Sequence, residues 1–349
     1  MGKKRPVFEI AGEAVAAGSR RTVSLPLPGL YTNDPVTMPV QVVHGLSDGP
    51  VLFVSAAVHG DEINGVEIIR RLLRMPQLKR LRGTLLAVPI VNIFGFHNRS
   101  RYLPDRRDLN RSFPGSESGS MAGRLGHVFM SEVVARSDIG IDLHTAAIHR
   151  DNLPQIRADI NDPILEPLAK AFSAPVLLHS AAPVGSLRYA AADIGIPVMV
   201  YEAGEALRFE EMSIQIGLRG TLNVLRRLSM LPPSKRQPSR PGAVLRSSSW
   251  QRAPQSGILR AQARLGAMVS KGEMLGLVAD PTGESEIPMP APYDGVVIGR
   301  TNLPLVFEGE ALFHIGRTRQ TTLLEQHLDA LHEGSDIAPP ELIEEPPIV

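Results

Sequence analysis

The sequence predicts an α/β protein whose mostly parallel or mixed sheet is covered by helices, followed by a small all-β module. Short apolar runs alternate with helical patterns from about residue 38 to 231. Buried strands that alternate with helices are typical of a sheet covered on both faces. From 257 to 316, short β-like runs are punctuated by glycine and helical spacing is absent, which indicates an all-β fold.

The larger region divides into strands and helices by its apolar periodicity. Within 62–74, for example, Ile63, Val66 and Ile69 recur at helical spacing. Strands are predicted at Met38–His44, Val51–Val58, Thr84–Val91, Asp138–Leu143, Pro175–His179 and Pro197–Glu202. Helices are predicted at Glu62–Arg74, Met121–Arg136, Pro163–Phe172, Ser186–Ile194 and Glu210–Leu231.

The chain of 349 residues is long enough for one large and one small domain. We expect a first domain over 1–231, with its core at 38–231, and the β-module over 257–316. Between them, residues 232–256 are rich in proline, serine and basic residues, which is typical of a linker. Residues 317–349 are predicted to hold an amphipathic helix, Thr322–His332, and a flexible tail.

Composition and charge exclude several classes of function. A net charge of +1 gives no drive toward nucleic acid or an acidic membrane, and no apolar run reaches the roughly 18 residues of a membrane helix. Glu9 and Glu13 interrupt any signal-like apolar core, so we expect a cytoplasmic protein. Because the chain has no cysteine, a metal site must be built from its ten histidines and neighbouring carboxylates.

The sharpest local feature is His59-Gly60-Asp61-Glu62, which joins an apolar strand to a predicted helix. In open α/β sheets, ligands bind beyond the carboxyl ends of the strands. Imidazole nitrogen and carboxylate oxygen are both zinc ligands, and a three-residue separation lets both side chains turn to one side. The alternative is an ordinary helix start, in which Asp61 and Glu62 favour the positive end of the helix dipole.

A second apolar run ends in Asp142-Leu143-His144, again at a predicted strand end. A catalytic zinc takes three protein ligands and leaves one position for water. His59, Glu62 and His144 would supply two imidazoles and one carboxylate. Asp142 is then a candidate acceptor that orients a ligand imidazole. A lone His144 would instead be a histidine satisfied at the edge of the core.

A third apolar run ends in Glu202, which is followed by Ala203 and Gly204. A carboxylate at the end of a buried strand is costly to desolvate unless it has a partner or a function. We expect Glu202 to act as the general base that deprotonates the attacking water and later protonates the leaving amine. Glu205 is the fallback candidate, and a capping or salt-bridged glutamate is the alternative.

The loop Asn98–Gly115 holds five arginines within residues 99–111, interleaved with aspartates. Interspersed acids and few aromatic residues disfavour a nucleic-acid surface. Arginines close to a zinc site are better suited to bind a substrate carboxylate or to stabilise a developing oxyanion. A solvated basic loop is the alternative for Arg99, Arg106 and Arg107.

In combination, these motifs resemble the succinylglutamate desuccinylase/aspartoacylase family, relatives of the zinc carboxypeptidases, over roughly residues 40–231. The matching stretches are His59-Gly-Asp-Glu62, Asp108-Leu-Asn-Arg111, Asp142-Leu-His144 and Glu202-Ala-Gly204. The resemblance implies a zinc-carboxypeptidase-like mixed sheet with flanking helices and one Zn²⁺ per chain. It implies that His59, Glu62 and His144 hold the zinc. Glu202 is then the base that activates water.

The resemblance also implies roles in substrate binding. In the family, the Asn-Arg pair of the D-L-N-R motif holds the substrate carboxylate, a role that falls on Asn110 and Arg111. An upstream arginine beside a tyrosine polarises the scissile carbonyl, which points to Arg101. The intervening stretch is longer here than in aspartoacylase itself, so Arg99 or Arg107 could substitute for it.

The C-terminal β-like region is similar to the barrel-sandwich of biotinyl/lipoyl carrier domains. Such carriers attach their prosthetic group to a lysine at a hairpin tip. Lys271 is the last lysine of the chain, and the tip segment Pro281–Ser285 has none, so a swinging-arm role is unsupported. Several family members carry such a module, which would cover the mouth of the active site or build the interface of a homo-oligomer.

The leading hypothesis is hydrolysis of the amide bond of a small N-acyl amino acid, or a related compound, whose carboxylate the protein binds. Arg188, in the stretch GSLRYAA, is a further candidate for binding this substrate. A metallocarboxypeptidase acting on small peptides is the nearest alternative, and esters are a third substrate class. A non-catalytic scaffold that binds a partner is the alternative outside enzymes, and the complete set of ligands and base argues against it.

Overall fold

A mixed sheet of 13 strands forms the centre of the protein, with helices packed on both faces. The computed structural model describes residues 5–234 and 242–318. Neighbouring side chains of one strand enter opposite cores: Phe53 packs on one face of the sheet and Val54 on the other. The mixed sheet with flanking helices that the sequence predicts is confirmed.

The elements follow one another along the chain as a long series of strands interrupted by few helices. The strands are β1 (Phe8–Ile10), β2 (Glu13–Val15), β3 (Ser19–Leu27), β4 (Val36–His44), β5 (Ser47–Ala56), β6 (Arg82–Val88), β7 (Ile139–His144), β8 (Arg150–Ala158), β9 (Val176–His179), β10 (Val198–Gly204), β11 (Ala243–Leu245), β12 (Ser248–Arg252), β13 (Gly257–Ala261), β14 (Met268–Val269), β15 (Met274–Ala279), β16 (Glu286–Pro290), β17 (Gly295–Thr301), β18 (Leu305–Val306) and β19 (Ala311–Arg317). The α-helices are α1 (Asn64–Arg74), α2 (Ile93–His97), α3 (Met121–Glu132), α4 (Leu165–Phe172), α5 (Leu187–Asp193) and α6 (Glu211–Arg227). Short 3-10 helices lie at Pro76–Arg80, Leu109–Arg111 and Val134–Arg136.

The order of strands across the sheet positions the site. It runs β12-β19-β17-β8-β10-β7-β5-β6-β4-β3, with β9 beside β8, β11 beside β9 and β14 beside β17. At the centre, β5, β7 and β10 run parallel. Their carboxyl ends, at Ala56, His144 and Gly204, therefore meet at one edge of the sheet, where ligands bind in α/β folds.

The helices are amphipathic and close the two cores. Residues of α1, α4 and α6 pack into one core, and residues of α3 and α5 pack into the other. In α6, for example, Ile214, Val224 and Leu225 are buried. Among the described residues, no helix is both long and apolar enough to cross a membrane.

Some strands are absent from the sequence prediction. The strands and helices predicted within 38–231 are present with shifted ends, but β1, β2, β3, β8 and the short helix α2 are additional. β8 lacks a clear apolar alternation, because Arg150, Asn152 and Arg157 line a cavity instead of entering a core. Because these polar side chains face the cavity, the apolar periodicity of the sequence does not indicate a strand here.

Part of the predicted linker also forms strands. Within 232–256, β11 pairs with β9 and β12 pairs with β19. The structure differs from the predicted linker at these residues, because the apolar run Ala243–Leu245 packs beside β9 in spite of its polar setting. The remaining domain boundaries stay a prediction. The predicted helix Thr322–His332 and the tail lie outside the described residues.

The C-terminal module is joined to the main sheet by hydrogen bonds. Its strand β17 pairs antiparallel with β8, where Gly299 aligns with Asn152. Other strands of the module form a separate sheet in the order β16-β15-β13-β18. The module has its own core, which includes Leu275, Leu312 and Phe313. A barrel-sandwich form for it stays a prediction.

Asp151 on β8 is a carboxylate in an unfavourable position. Its Oδ1 is buried and has no hydrogen-bond partner within residues 5–234 and 242–318. Burial, together with the nearby charges of Glu210 and Glu205, raises the pKa of Asp151 to about 7. In the unfolded chain an aspartate has a pKa of about 3.9. As the pH rises from about 4 to 7, the unfolded chain releases a proton that the folded protein retains, so ionisation of Asp151 destabilises the fold.

We predict that Asp151→Asn raises the free energy of unfolding at pH 8 by about 1–2 kcal/mol, a figure that already allows for solvent screening. The gain should shrink toward pH 4, where Asp151 is protonated in the folded protein and about half protonated in the unfolded chain. Urea denaturation at the two pH values measures it, with the exposed Asp193→Asn as the matched control. An equal gain at both pH values would contradict this explanation.

Candidate active site

The His59–Glu62 motif lies at a strand end with a constrained backbone. β5 ends at Ala56, and Ala57 has a left-handed φ of 51° that turns the chain away from the sheet. A Cβ at Gly60 would lie 2.0 Å from the carbonyl carbon of Gly95, so only glycine fits there. This close approach of two backbones fixes the path of residues 57–62 after the end of β5.

Three buried side chains converge beyond the ends of β5 and β7. His59 Nδ1 lies 2.7 Å from Glu62 Oε1, and His144 Nδ1 lies 2.7 Å from Glu62 Oε2. One candidate ligand atom from each residue lies within 4.8 Å of the other two. The backbone N–H of Thr145 donates to Glu62 Oε2 at 3.1 Å. Two imidazole nitrogens and one carboxylate oxygen in a buried group are a donor set that fits zinc.

Each imidazole of this cluster has a carboxylate on its second nitrogen. His144 Nε2 lies 2.7 Å from Asp142 Oδ2, and His59 Nε2 lies 3.0 Å from Asp108 Oδ1. Such carboxylates orient metal-binding imidazoles and fix which nitrogen faces the metal. Asp142 lies where the sequence predicts an orienting acceptor. Asp108 has the equivalent position beside His59, although the sequence indicated only its place in the D-L-N-R motif.

The cluster keeps opposite charges together out of water. Burial alone would raise the pKa of Glu62, but the charges and hydrogen bonds of His59 and His144 hold that pKa well below its usual range. Burial lowers the pKa of each histidine, yet the neighbouring carboxylates outweigh it and leave both pKa values raised. The ionised carboxylate is ready to bind a divalent cation, whereas each imidazole would have to release its proton first, so binding of a cation here would be coupled to proton release.

Glu202 lies beside the cluster on the neighbouring strand. It is the register partner of His144 in the parallel pair β7–β10, and both residues line one cavity. Its carboxylate accepts a hydrogen bond from Asn152 Nδ2 at 2.6 Å and pairs with Arg157 Nη1 at 3.1 Å. Both partners belong to β8. The Glu202 carboxylate is therefore held in place. It is salt-bridged, as the alternative to the general base expected, but it also faces the cavity.

Arg101 is the arginine of the 98–115 loop that reaches the cluster. Its guanidinium lies 3.1 Å from Glu62 Oε1 and 3.1 Å from Asp108 Oδ2. Arg107 has 62% of its side chain exposed, and neither it nor Arg99 lines the cavity. Of the three arginines weighed for polarising a substrate carbonyl, Arg101 has the suitable position.

The other predicted substrate-binding residues line the same cavity. Asn110 Oδ1 accepts the first backbone N–H of α5 at 2.9 Å, which connects the D-L-N-R motif to that helix. Arg111 is exposed and donates to the carbonyl of Asn110 at 2.6 Å. Arg188 donates to the backbone carbonyls of residues 180 and 181 at 2.9 and 2.7 Å. Burial and the nearby Arg157 lower the pKa of Arg188 to about 10.

The cavity has a volume of about 270 Å³, which suits a small molecule. Its wall includes Arg150, Asn152 and Arg157 from β8 and Trp250 from β12, none of which the sequence indicated. One available signal for the arginines was their position just after the His144 motif. Trp250 lies in the segment assigned to a linker, and no motif marks it.

A buried His-Glu-His cluster that could hold a metal ion lies at the ends of parallel strands, with a glutamate beside it in a small cavity, and this arrangement is typical of hydrolases with an α/β fold. Residues 48–228, more than half of the chain, match the family model of the succinylglutamate desuccinylase/aspartoacylase catalytic domain. The chain belongs to this family of deacylases, which hydrolyse amide bonds.

Individual relatives agree with this assignment. The chain is 27% identical over 278 residues to N-alpha-acetyl-L-2,4-diaminobutyric acid deacetylase of Halomonas elongata, covering 76% of this chain and 81% of that protein. The crystal structure of a succinylglutamate desuccinylase/aspartoacylase from Rhodobacter sphaeroides aligns with a TM-score of 0.76 and 25% identity, over 85% of this chain and 96% of that one. The product-bound ectoine utilization protein EutE (DoeB) of Ruegeria pomeroyi shares the fold, with a TM-score of 0.79 and 24% identity, over 90% and 98% of the two chains.

We predict that His144→Ala lowers the zinc content of the purified protein well below one ion per chain, because it removes one of three donors and leaves Glu62 with one imidazole. Elemental analysis after dialysis measures this. His97→Ala, an exposed histidine outside the cavity, is the matched control and should retain zinc. Unchanged zinc in His144→Ala would remove this residue from the ligand set.

Proposed function

We propose that this protein is a zinc-dependent deacylase that hydrolyses the amide bond of a small N-acyl amino acid or related compound. The observation that carries this proposal is the buried cluster of His59, Glu62 and His144 in one cavity with Glu202. Family membership supports amide hydrolysis, and the name of the Halomonas relative supports an acetylated amino acid as the class of substrate.

His59, Glu62 and His144 would hold one zinc ion. When bound, zinc lowers the pKa of water toward neutrality and polarises a carbonyl group. The carboxylate of Glu202 accepts the proton of the attacking water and delivers it to the leaving nitrogen. Asn152 and Arg157 keep that carboxylate in place at 2.6 and 3.1 Å.

Arginine side chains would stabilise and orient the substrate. Arg101, in contact with the cluster through Glu62, is placed to share the negative charge that develops on the carbonyl oxygen. Asn110 and Arg111 would bind the carboxylate of the amino-acid part. Arg188 is the further candidate, because its hydrogen bonds within the described residues go to uncharged oxygens.

Several finer assignments belong to the same proposal. We expect the protein to work in the cytoplasm on a small carboxylate substrate, without nucleic acid or membrane. Residues 1–231 would form the zinc hydrolase domain and 257–316 a barrel-sandwich module. A homo-oligomer is compatible with these assignments, and size-exclusion chromatography with light scattering measures it.

A metallocarboxypeptidase is the second candidate, because Asn110 and Arg111 could equally hold the terminal carboxylate of a peptide. Amine release from acetylated and succinylated amino acids, compared with release from dipeptides of the same residues, separates the two. We expect turnover of the N-acyl amino acids. Cleavage confined to the dipeptides would favour the carboxypeptidase.

We predict that Glu202→Gln keeps its zinc but lowers kcat by about 10²–10⁴-fold, because the amide cannot accept the proton of water. Amine release and elemental analysis on the same preparation measure the two effects. The matched control is Glu205→Gln, whose carboxylate bonds to His149 and Asn302 and does not line the cavity. Near-normal turnover of Glu202→Gln would reject this residue as the base.

A further inference from the structure

A row of aligned residues runs from β12, through two strands of the C-terminal module, to the strand that holds the proposed base. Trp250 on β12 is the register partner of His314 on β19. The row continues through Gly299 on β17 to Asn152 on β8. Asn152 donates to Glu202 at 2.6 Å. Aligned residues of neighbouring strands project from the same face of a sheet, so the module and the catalytic strands share one face here.

This row is closely packed at its centre. A Cβ at Gly299 would lie 2.8 Å from Asn152 Oδ1 and 3.3 Å from His314 Cβ. Only the absence of a side chain lets the two neighbours lie this close. The module therefore cannot move along β8 without disturbing the asparagine that holds Glu202.

Trp250 joins the row to an arginine at the cavity wall. The guanidinium carbon of Arg150 lies 5.4 Å from the centroid of the Trp250 ring. The indole stacks on the imidazole of His314, with centroids 4.6 Å apart and planes 12° apart. His314 Nε2 lies 2.8 Å from Ser248 Oγ, which fixes the imidazole. The stacking on His314 therefore fixes the orientation of the Trp250 ring that Arg150 contacts.

Arg150 is less engaged with carboxylates than its neighbours in the cavity. Arg101 and Arg157 each have a carboxylate oxygen at 3.1 Å. The carboxylate of Glu310 lies 3.9 Å from Arg150 Nη2, and the Arg150 side chain is 33% exposed. A guanidinium that is positioned by an aromatic ring and has a long ion pair can bind a carboxylate from outside.

We propose that Arg150, held against Trp250, binds a carboxylate of the substrate other than the one assigned to Asn110 and Arg111, and that these two residues determine specificity. The inference rests on the proposed function, which it deepens. The second carboxylate has two sources, a dicarboxylic acyl group or an acidic amino-acid side chain. In either case β12, which pairs with strand β19 of the C-terminal module, supplies Trp250 to the substrate site.

Paired substrates test Arg150 and distinguish the two sources. N-acetylglutamate with N-acetylglutamine varies the charge of the side chain, and N-succinylglycine with N-butyrylglycine varies the charge of the acyl group. We expect Arg150→Gln to raise KM about 10- to 100-fold for the charged member of one pair. The neutral member should change less than about 3-fold, and kcat should change little. Arg260→Gln, an exposed arginine of the module, is the matched control.

Trp250 offers a readout that needs no turnover, because it is the only tryptophan of the chain. In the zinc-loaded full-length protein, glutarate should change the tryptophan emission in a saturable manner, and butyrate should not at the same concentration. Arg150→Gln should abolish the response to glutarate. Trp250→Phe keeps a ring for Arg150 and should raise KM for the charged substrate less than Trp250→Ala does.

The two measurements separate failure of this inference from failure of the proposed function. If the acyl amino acids are hydrolysed, but Arg150→Gln alters neither pair and glutarate leaves the emission unchanged, the inference is overturned and the deacylase proposal stands. If none is hydrolysed, the deacylase proposal fails. The emission response and its loss in Arg150→Gln then decide whether Arg150 binds a carboxylate.

Discussion

The structure of the site depends on one buried carboxylate that two imidazoles share. Glu62 is almost fully buried and lies 2.7 Å from a nitrogen of His59 and 2.7 Å from a nitrogen of His144. A buried charge without partners is strongly unfavourable. Strand β5, which leads into His59, and strand β7, which ends at His144, must therefore end side by side. The parallel pairing of β5 with β7 meets this requirement.

Strand β8 connects this cluster to the rest of the molecule. It supplies Asn152 and Arg157 to Glu202, and Arg150 to the cavity wall. The same strand pairs with β10 on one side and with β17 of the C-terminal module on the other. One strand thus carries polar residues into the site and makes the backbone contacts that attach the module.

The sequence predicted the parts of the site in which side-chain chemistry and strand ends coincide. His59, Glu62, His144 and Glu202 follow apolar runs, so their convergence is a consequence of parallel strands. Strand β8 could not be predicted in the same way, because its polar residues face the cavity and break the alternation that marks a strand. Trp250 could not be predicted as a site residue for another reason. Its segment has the composition of a linker, and only its pairing with β19 makes it a strand.

Prediction was also limited where two backbones approach each other. The need for glycine at position 60 comes from Gly95, far away in the sequence, and only the folded chain brings them together. Asp108 became an orienting partner of His59 through the path of the 98–115 loop, which no periodicity describes.

The pairing of β17 with β8 means that the C-terminal module cannot be removed without exposing an edge of the main sheet. Residues Arg150–Asn152 of β8 are bonded to Thr301–Gly299 of β17. Removal of the module would leave these backbone groups as an open sheet edge, and open edges promote pairing between molecules and aggregation. The module therefore covers a part of the sheet edge that would otherwise be open to pairing with other molecules.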